Sequence, residues 1–377
     1  MRFKQTLALS LSLFLLTSCA SASKTATINK ESYPIYFLTD ESGNIIYDED
    51  NLPLTPLNTY VSITTTNDEF RDAMDKDFED LIRKYHYLLD SHHNFEGVNN
   101  IKTINDNYGI GPVEVDEDII EILEEAIEIS KLSDGYFNPT IGALSDVWSG
   151  KYGTEVQSDP DITEIEKAKA CVISNDKLEE YIEIDKDNNT VYLKEYDGCS
   201  GSVKISLGAI SKGYALDKIA EELKKYDSGF LLSAGGSSTL TYVADDQMKD
   251  LFWKIGIVDP DQTDQSYSII QVQNSAISTS GDYQQYFINE EGIRRHHILN
   301  PFTGYPENLY RSITLINNDN GTILDALSTS LFSTEDLEKY IDVFDNNYST
   351  DIKAYVLTDN HGQATVSYST VDNLLVK

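Results

Sequence analysis

Basic residues are scarce in this 377-residue sequence. Lys and Arg number 29 against 63 Asp and Glu, which gives a formal net charge of -34. A protein that binds DNA or RNA needs a basic face, so this balance argues against nucleic acid as a partner. The same charge repels anionic substrates at long range. A phosphate-containing substrate would therefore need a cation in its binding site.

Cysteine and long apolar runs are also scarce. Of the 3 cysteines, none has the Cys- or His-rich spacing of a zinc site. A chain of this length can fold without a disulfide framework, and the sequence leaves open whether Cys171 and Cys199 pair. No apolar run beyond the amino terminus resembles a transmembrane helix. With 40% apolar and 10% aromatic residues, the composition is that of a globular protein with a real core.

The amino terminus has the layout of an export signal. Arg2 and Lys4 precede the apolar run Leu7–Leu16, which leads into a Leu-Thr-Ser-Cys sequence ending at Cys19. This ending resembles the lipobox of bacterial lipoproteins. It predicts a signal peptide at residues 1–18, a lipid such as palmitate on Cys19, and a polar tether over residues 19–33. A plain signal peptide or an uncleaved anchor, with Cys19 incidental, is the alternative.

Hydrophobic periodicity predicts an α+β fold. Apolar residues at helical spacing mark residues 67–90 and Glu117–Leu132, with Asp116 as the cap of the second helix. Two more helices are expected over Ser211–Tyr226 and Asp336–Phe344. Strands are predicted at Ile35–Leu38, Asn44–Tyr47, Tyr60–Thr65, Val191–Leu193, Val203–Ser206, Phe230–Ser233, Trp253–Val258, Ile269–Gln273, Gln284–Ile288, Ser312–Ile316, Ala354–Leu357 and Ala364–Tyr368. Helices and strands do not alternate one for one, which argues against a doubly wound parallel sheet. The polar stretch 149–190 is expected on the surface, and residues 34–377 are expected to form a single domain.

Two segments combine small residues with groups that suit ligand binding. Gly135–Leu144, followed by Trp148, displays aromatic and backbone groups on a loop; a packed turn at a helix end is the alternative. Ser206–Ala215 runs from a strand through small residues into a helix, where a ligand can approach the backbone and its free N–H groups. This segment lacks the P-loop spacing G-x-x-x-x-G-K-S/T, and an ordinary tight turn explains it about equally well.

A third region places a histidine on a rigid loop. Ser278–Tyr283 precedes Arg295–Gly304, in which His297 stands shortly before the turn-forming Asn300-Pro301 pair. Turn chemistry of this kind can hold a side chain in place, although most single histidines serve packing or the surface.

The fourth segment, Asp325–Phe332, carries a candidate metal site. On a helix, Asp325, Ser328 and Thr329 lie at positions i, i+3 and i+4, so their oxygens share one face. One carboxylate with hydroxyl and carbonyl oxygens suits Mg²⁺. An Asp that caps an ordinary polar helix is the alternative.

In this order, the four segments resemble the ApbE family of FAD:protein FMN transferases, over roughly residues 34–375. The matching pieces are Leu207–Ala215 (family pattern L-G-G-I-A-K-G-Y-A), Ile277–Tyr283 (I-S-T-S-G-x-Y), His297–Gly304 (H-I-I-D-P-x-T-G) and Asp325–Thr329 (D-A-x-x-T). The resemblance implies a single T-fold-like α+β domain with a mixed or antiparallel sheet and packed helices. It also implies Mg²⁺-dependent transfer of FMN from FAD to a Thr or Ser hydroxyl of an exported protein, with release of AMP.

Site residues follow from the resemblance, position by position. The implied FAD contacts are Leu57, Tyr136, Phe137, Asn138, Ser206, Lys212 and Leu299. The implied metal contacts are the Ala209 backbone oxygen, Asp325, Ser328 and Thr329. His297 matches the histidine that takes the proton of the acceptor hydroxyl.

Three positions depart from the family pattern. Ser206 and Asn300 each stand where the family has Asp, and Asn58 replaces a common Gly. Ser206 therefore removes a carboxylate contact to the cofactor. Ser328 is a milder change, because a hydroxyl still offers an oxygen.

Two other functions use the same features. With water in place of threonine, the site would be an FAD pyrophosphatase that yields FMN and AMP. Without turnover, the protein would be a flavin- or solute-binding lipoprotein. The chain lacks the acceptor motif D-x-x-S/T-G-A-T, so we expect it to modify other exported proteins, at the extracytoplasmic face of the cell membrane.

Overall fold

The fold was analysed in a computed structural model that describes residues 30–40, 42–48, 50–152, 157–244 and 250–376. The predicted signal peptide and Cys19 lie outside these residues. The helices are α1 (Arg71–Leu89), α2 (Ile101–Asp106), α3 (Glu117–Leu132), α4 (Gly142–Ser149), α5 (Ile162–Lys169), α6 (Leu178–Tyr181), α7 (Ser211–Leu223), α8 (Gly321–Leu331) and α9 (Leu337–Tyr348). Short 3₁₀ turns occur at Pro56–Asn58 and Asn175–Lys177.

The strands form one large sheet and three small ones. They are β1 (Glu31–Ile35), β2 (Val61–Thr65), β3 (Val113–Glu114), β4 (Ile182–Asp185), β5 (Thr190–Leu193), β6 (Phe230–Ala234), β7 (Ser238–Tyr242), β8 (Trp253–Asp259), β9 (Gln262–Val272), β10 (Ser275–Gly281), β11 (Tyr286–Ile288), β12 (Arg294–His296), β13 (Ser312–Asn317), β14 (Lys353–Asn360) and β15 (Gln363–Ser369). The large sheet has 8 strands in the order β1-β2-β6-β7-β10-β13-β14-β15, and every neighbouring pair is antiparallel.

The centre of the large sheet is covered on both faces. Helices α7 and α8 pack together against β7 and β10 on one face. There, Ile313 and Leu315 of β13 join the main core. Ile316 points to the other face and packs under the β8–β9 ribbon with Trp253 and Ile270. Since successive side chains of a strand point to opposite faces, this double cover explains why all six residues of β13 are buried.

Helix α8 is buried on nearly all sides, which positions the candidate site. Every residue except Thr329 has little exposure, and Asp325 is its single charged residue. A helix enclosed in this way is normally apolar all round. A carboxylate in it must therefore be held by specific partners.

Several sequence predictions agree with these elements. The predicted helix Glu117–Leu132 has the bounds of α3, and Asp116 caps it by accepting a hydrogen bond from the Asp118 backbone N–H. Helix α7 begins at the predicted Ser211, and Asp325 lies on a helix as expected. The structure also answers the open cysteine question, because Cys171 and Cys199 form a disulfide.

Other predictions differ from the structure. Residues 203–206 do not form a strand, and Lys204 makes only an isolated bridge to Ile141. The stretch 149–190 is not a surface excursion, because it contains α5, α6 and β4 and buries Ile165 and Ile173 completely. The predicted boundary between residues 33 and 34 falls inside β1, whose pairing with β2 starts at Glu31. No helix in the described part of the chain is both long and apolar enough to cross a bilayer.

Candidate active site

A cleft of about 880 Å³ lies where the loops before α7 and after β12 meet the end of β10 and one side of α8. Eleven of the twelve residues assigned to FAD, metal or catalysis line this cleft: Leu57, Tyr136, Phe137, Asn138, Ser206, Ala209, Lys212, His297, Leu299, Asp325 and Thr329. The twelfth, Ser328, does not. The cleft volume lies in the usual range for pockets that enclose small ligands.

Asp325 is the buried charge at the centre of the site. Its side chain is 6% exposed. One carboxylate oxygen accepts from the hydroxyls of Ser238 and Ser278, each at 3.1 Å. The other accepts from the backbone N–H of Gly213 at 3.1 Å and lies 3.6 Å from the Lys212 ammonium. These partners compensate the cost of burying a carboxylate beside the cleft.

The two serines reach Asp325 because of strand register. Ser238 of β7 and Ser278 of β10 are directly paired across the sheet. Both hydroxyls therefore emerge on the same face, under α8. This pair was not predicted from the sequence, since neither serine is near Asp325 along the chain.

Ser328 and Thr329 differ in their access to the cleft. Both hydroxyls lie 3.1 Å from the backbone oxygen of Asp325, as i+3 and i+4 hydroxyls on a helix commonly do. Ser328 is fully buried and contacts the Ser280 hydroxyl at 2.9 Å, one layer behind the cleft wall. Thr329 lines the cleft itself. The structure thus brings Thr329 and Asp325 to the surface of the site, but not Ser328.

The oxygen set suits a hard divalent cation rather than a metal bound by cysteine and histidine. Within the described ranges, no three His, Cys, Asp or Glu side chains group as a metal site. The cleft instead offers one carboxylate, Asp325, with Thr329 and Ala209 on the same lining. Mg²⁺ characteristically binds through one or two carboxylates and completes its shell with water and substrate phosphates. The residues present therefore fit Mg²⁺ as a partner of a phosphorylated ligand.

Lys212 places positive charge in this acidic protein. Its ammonium lies 3.3 Å from the Gly208 backbone oxygen and 3.6 Å from Asp325. Among the described residues that line the cleft, it is the one lysine or arginine. The turn that presents it is fixed by a hydrogen bond from the Ser206 backbone N–H to the Pro139 oxygen, at 2.8 Å.

His297 is arranged to act as a base. Its Nδ1 lies 3.4 Å from the Gln285 backbone oxygen. A carbonyl can only accept, so Nδ1 carries the proton and Nε2 is left with a free lone pair. Burial lowers the pKa of His297 to about 4, and the Lys212 charge acts in the same direction while the Gln285 contact opposes it. The ring is therefore neutral near pH 7.

The adjacent His296 has a structural role. Its ring faces the core, with Nε2 at 2.8 Å from the Glu307 backbone oxygen and Nδ1 accepting from the Ile298 backbone N–H. Burial also lowers the pKa of His296 to about 4. Of the two neighbouring histidines, only His297 lines the cleft, as the sequence prediction has it.

Asn138 organises the aromatic loop of the site. Its amide nitrogen donates to the Ile173 backbone oxygen at 2.7 Å, and its oxygen accepts from both the backbone N–H and the hydroxyl of Thr140. These bonds hold the loop in place beside the cleft. The neighbouring Tyr136 ring packs edge-on against Phe302, with ring centroids 5.2 Å apart.

The loop at Leu57 and Asn58 has a left-handed backbone, with φ of 50° and 58°. Asn tolerates this region better than most residues, which explains why it can replace the family glycine at position 58. The Leu57 backbone N–H donates to Nδ1 of His86 at 3.2 Å. His86 is 1% exposed, and its Nε2 lies 3.5 Å from Asp90.

His86 and Asp90 also line the cleft, and the sequence interpretation missed them. The signal available in the sequence was a histidine on the buried stripe of α1. That position alone does not distinguish a core histidine from one that supports a loop.

Comparisons with known proteins agree with this geometry. Residues 57–355 match a family model described as the ApbE family. A FAD:protein FMN transferase from Treponema pallidum is 31% identical over 240 residues, which cover 62% of this chain and 64% of that protein. A FAD:protein FMN transferase from Haemophilus influenzae is 27% identical over 320 residues, which cover 83% of this chain and 85% of that protein. The chain thus spans a little under two thirds of the Treponema protein.

Solved structures give the same result for the fold. The ApbE protein from Thermotoga maritima matches with a TM-score of 0.67 and 29% identity, over 83% of this chain and 94% of that one. The flavin transferase ApbE from Vibrio cholerae matches with a TM-score of 0.66, over 92% of this chain and 98% of that one. Its sequence identity is 20%, so this match supports the fold alone. The predicted single α+β domain with antiparallel sheet and packed helices is confirmed.

Proposed function

Since this chain belongs to the ApbE family, we propose that it is a flavin transferase that moves FMN from FAD to a Thr or Ser hydroxyl of an exported protein and releases AMP. The observation that carries the proposal is the convergence of Asp325, Lys212 and His297 on one cleft. A buried carboxylate, a fixed cation and a neutral imidazole are the groups that phosphoryl transfer to an alcohol needs.

FAD is proposed to lie with its pyrophosphate between α8 and the Lys212 turn. Lys212 then faces a phosphate oxygen and offsets the repulsion that a net charge of -34 imposes on an anionic ligand. Asp325, Thr329 and the Ala209 backbone oxygen would hold Mg²⁺, which supplies Lewis-acid stabilisation of charge on the phosphates. Tyr136 and Phe137, on the loop beside the cleft, are proposed to contact a ring of the cofactor.

His297 is the proposed general base. The acceptor hydroxyl gives its proton to Nε2, while its oxygen forms a bond to the FMN-side phosphorus. The bond between that phosphorus and the bridging oxygen breaks, and AMP leaves with the bridging oxygen. The Gln285 backbone oxygen keeps the proton of His297 on Nδ1, so the reactive nitrogen remains Nε2.

We further propose that the protein acts outside the cytoplasmic membrane, held there by lipid on Cys19. The support is the sequence layout of residues 1–19. The acceptors would then be exported proteins that carry a D-x-x-S/T-G-A-T motif. Labelling with a fatty-acid probe, in the intact chain and in Cys19→Ala, tests the anchor.

The function is tested by incubating the protein with FAD, Mg²⁺ and a D-x-x-T-G-A-T peptide. We expect the peptide to gain the mass and fluorescence of FMN, with one AMP released per peptide. Replacing the peptide threonine with alanine should abolish labelling. Asp325→Ala should lose Mg²⁺-dependent transfer, whereas Asp187→Ala, an exposed carboxylate on a β-turn, should retain it.

The same assay separates the alternatives. Free FMN and AMP without labelled peptide would identify a pyrophosphatase. Stoichiometric FAD retention without AMP would identify a binding protein. Full Mg²⁺-dependent transfer by Asp325→Ala would contradict the metal assignment.

A further inference from the structure

Helices α7 and α8 are joined by a carboxylate that lies outside the cleft lining. Asp217, in the middle of α7, accepts hydrogen bonds from the first turn of α8. One of its oxygens accepts from the Gly321 backbone N–H at 2.9 Å. The other accepts from the backbone N–H and the hydroxyl of Thr322, at 2.7 and 2.6 Å. These hydrogen bonds lie at the positive end of the α8 dipole and favour the ionised carboxylate, whereas burial raises the pKa of Asp217 to about 7.

Helix α8 also has a cap of its own. The side chain of Asn320 accepts from the Ile323 backbone N–H at 3.0 Å. Asn320 thus serves the third N–H of the helix, while Asp217 serves the first two from a neighbouring helix. Capping within α8 and linkage between α7 and α8 are therefore carried by different residues.

On each helix, the link lies one helical turn from the hydrogen bond between Gly213 and Asp325. On α7, Asp217 follows Gly213 by four residues; on α8, Asp325 follows Gly321 by four. The helices touch at this point, since a Cβ added to Gly213 would lie 2.2 Å from the Gly321 oxygen. One turn further along α8, the Gly213 N–H donates to Asp325.

From this geometry we propose that Asp217 is a positioning residue for the transfer reaction, an inference that rests on the proposed function. Its carboxylate holds the first turn of α8 against α7 and so sets the separation between Asp325 and the Lys212 turn. If the Asp217 carboxylate is removed, Asp325 stays on its helix and keeps its serine partners, but its distance from Lys212 is no longer fixed. Groups hydrogen-bonded directly to metal ligands typically affect metal affinity by 10–100-fold. Asp217 acts one contact further away, because the Gly213 N–H and not Asp217 bonds to Asp325.

The test compares three variants of the full chain. Asp217→Asn preserves shape, but places an amide nitrogen against an N–H donor of α8. Thr322→Val removes only the hydroxyl bond to Asp217. Asn320→Ala removes the cap of α8 and leaves the link intact. Each variant is measured for the Mg²⁺ dependence of peptide labelling, for the Mg²⁺-induced rise in Tm with FAD bound, and for the free energy of unfolding without ligand.

We expect Asp217→Asn to raise the Mg²⁺ concentration for half-maximal transfer by about tenfold, the lower end of that range, and to shrink the Mg²⁺-induced rise in Tm. Thr322→Val should shift both in the same direction, by about threefold in concentration. Asn320→Ala should lower the free energy of unfolding and leave the Mg²⁺ dependence unchanged. Should Asp217→Asn not fold, Thr322→Val tests the link by itself.

Two results would overturn the inference. One is an unchanged Mg²⁺ dependence in both Asp217→Asn and Thr322→Val, with or without a loss of stability. The other is an equal shift in Asn320→Ala, which would assign the effect to helix capping. If the wild-type protein shows no transfer, the proposed function fails, and the Mg²⁺-induced rise in Tm still tests the role of Asp217.

Discussion

Replacing Gly213 with alanine tests the contact between α7 and α8 most sharply. In most helices this change is favourable by about 1 kcal/mol, because alanine is the better helix former. Here the added Cβ would lie 2.2 Å from the Gly321 oxygen, 2.5 Å from its carbonyl carbon and 2.9 Å from the Thr322 nitrogen. All three are backbone atoms, so no side chain can rotate away.

The helices must therefore separate. Ordinary van der Waals contact begins at 3.4 Å, so the clash from 2.2 Å requires a shift of about 1.2 Å. Overpacking of this kind costs about 1–3 kcal/mol. The shift also stretches the 3.1 Å bond from the Gly213 N–H to Asp325, and a hydrogen bond to a charged group contributes about 1.5–3 kcal/mol. After subtracting the helix gain, we expect a net destabilisation of about 1.5–5 kcal/mol.

The effect on transfer should be larger than the effect on folding. A misplacement of about 1 Å at a reacting centre can lower the rate about 100-fold. Urea unfolding measures the stability, and peptide labelling at saturating FAD measures the rate. Gly150→Ala is the matched control, since no atom outside its immediate neighbours lies within 4 Å of the added Cβ; it should change the free energy of unfolding by less than about 0.5 kcal/mol. Wild-type stability and rate in Gly213→Ala would refute the tight α7–α8 contact.

Three further predictions concern histidines and the disulfide. His297→Gln should lower the transfer rate about 10²–10⁴-fold with FAD binding retained. Because the pKa of His297 is about 4, the wild-type transfer rate should stay level from pH 8 to about pH 5 and fall only below that. A pH–rate profile with its midpoint near pH 6.5 would contradict the assignment. Burial lowers the pKa of His86 to about 4, so between pH 6.5 and 4 the unfolded chain binds a proton that the folded chain does not. The free energy of unfolding should therefore fall over that range by up to about 3 kcal/mol from this residue. An equal dependence of the unfolding free energy on pH in wild type and His86→Gln would disprove this. Replacing Cys171 and Cys199 with serine should lower the free energy of unfolding by about 3 kcal/mol, and a reducing agent should then have no further effect; unchanged stability would show that the cross-link is dispensable.

Local patterns predicted much of this fold. The bounds of α3 follow from strong apolar periodicity and from Asp116, which caps the helix within two residues of sequence. Strands β7 and β10 were not predicted, although the motif of β10 was recognised. Both strands are rich in Ser and Thr, which weakens the apolar signal. Their burial does not alternate, because the inner strands are covered on both faces.

The candidate site was predicted where a motif carries it and missed where distant segments meet. Ser238 and Ser278 hold Asp325 only because strand register pairs them. His86 supports Leu57 across 29 residues of sequence, and Asp217 reaches Gly321 across 104. Such contacts depend on how helices and strands pack, which local sequence does not encode.

The central claim is that Asp325 and its neighbours on α8 present oxygens to a divalent cation beside the FAD pyrophosphate. Crystals grown with FAD and Mn²⁺ test it directly, because Mn²⁺ gives an anomalous signal and accepts the same oxygen ligands as Mg²⁺. We predict one strong anomalous peak in the cleft, bound by the Asp325 carboxylate and by phosphate oxygens of FAD. A peak elsewhere, with Asp325 still paired to Lys212 and the pyrophosphate distant from α8, would contradict the account.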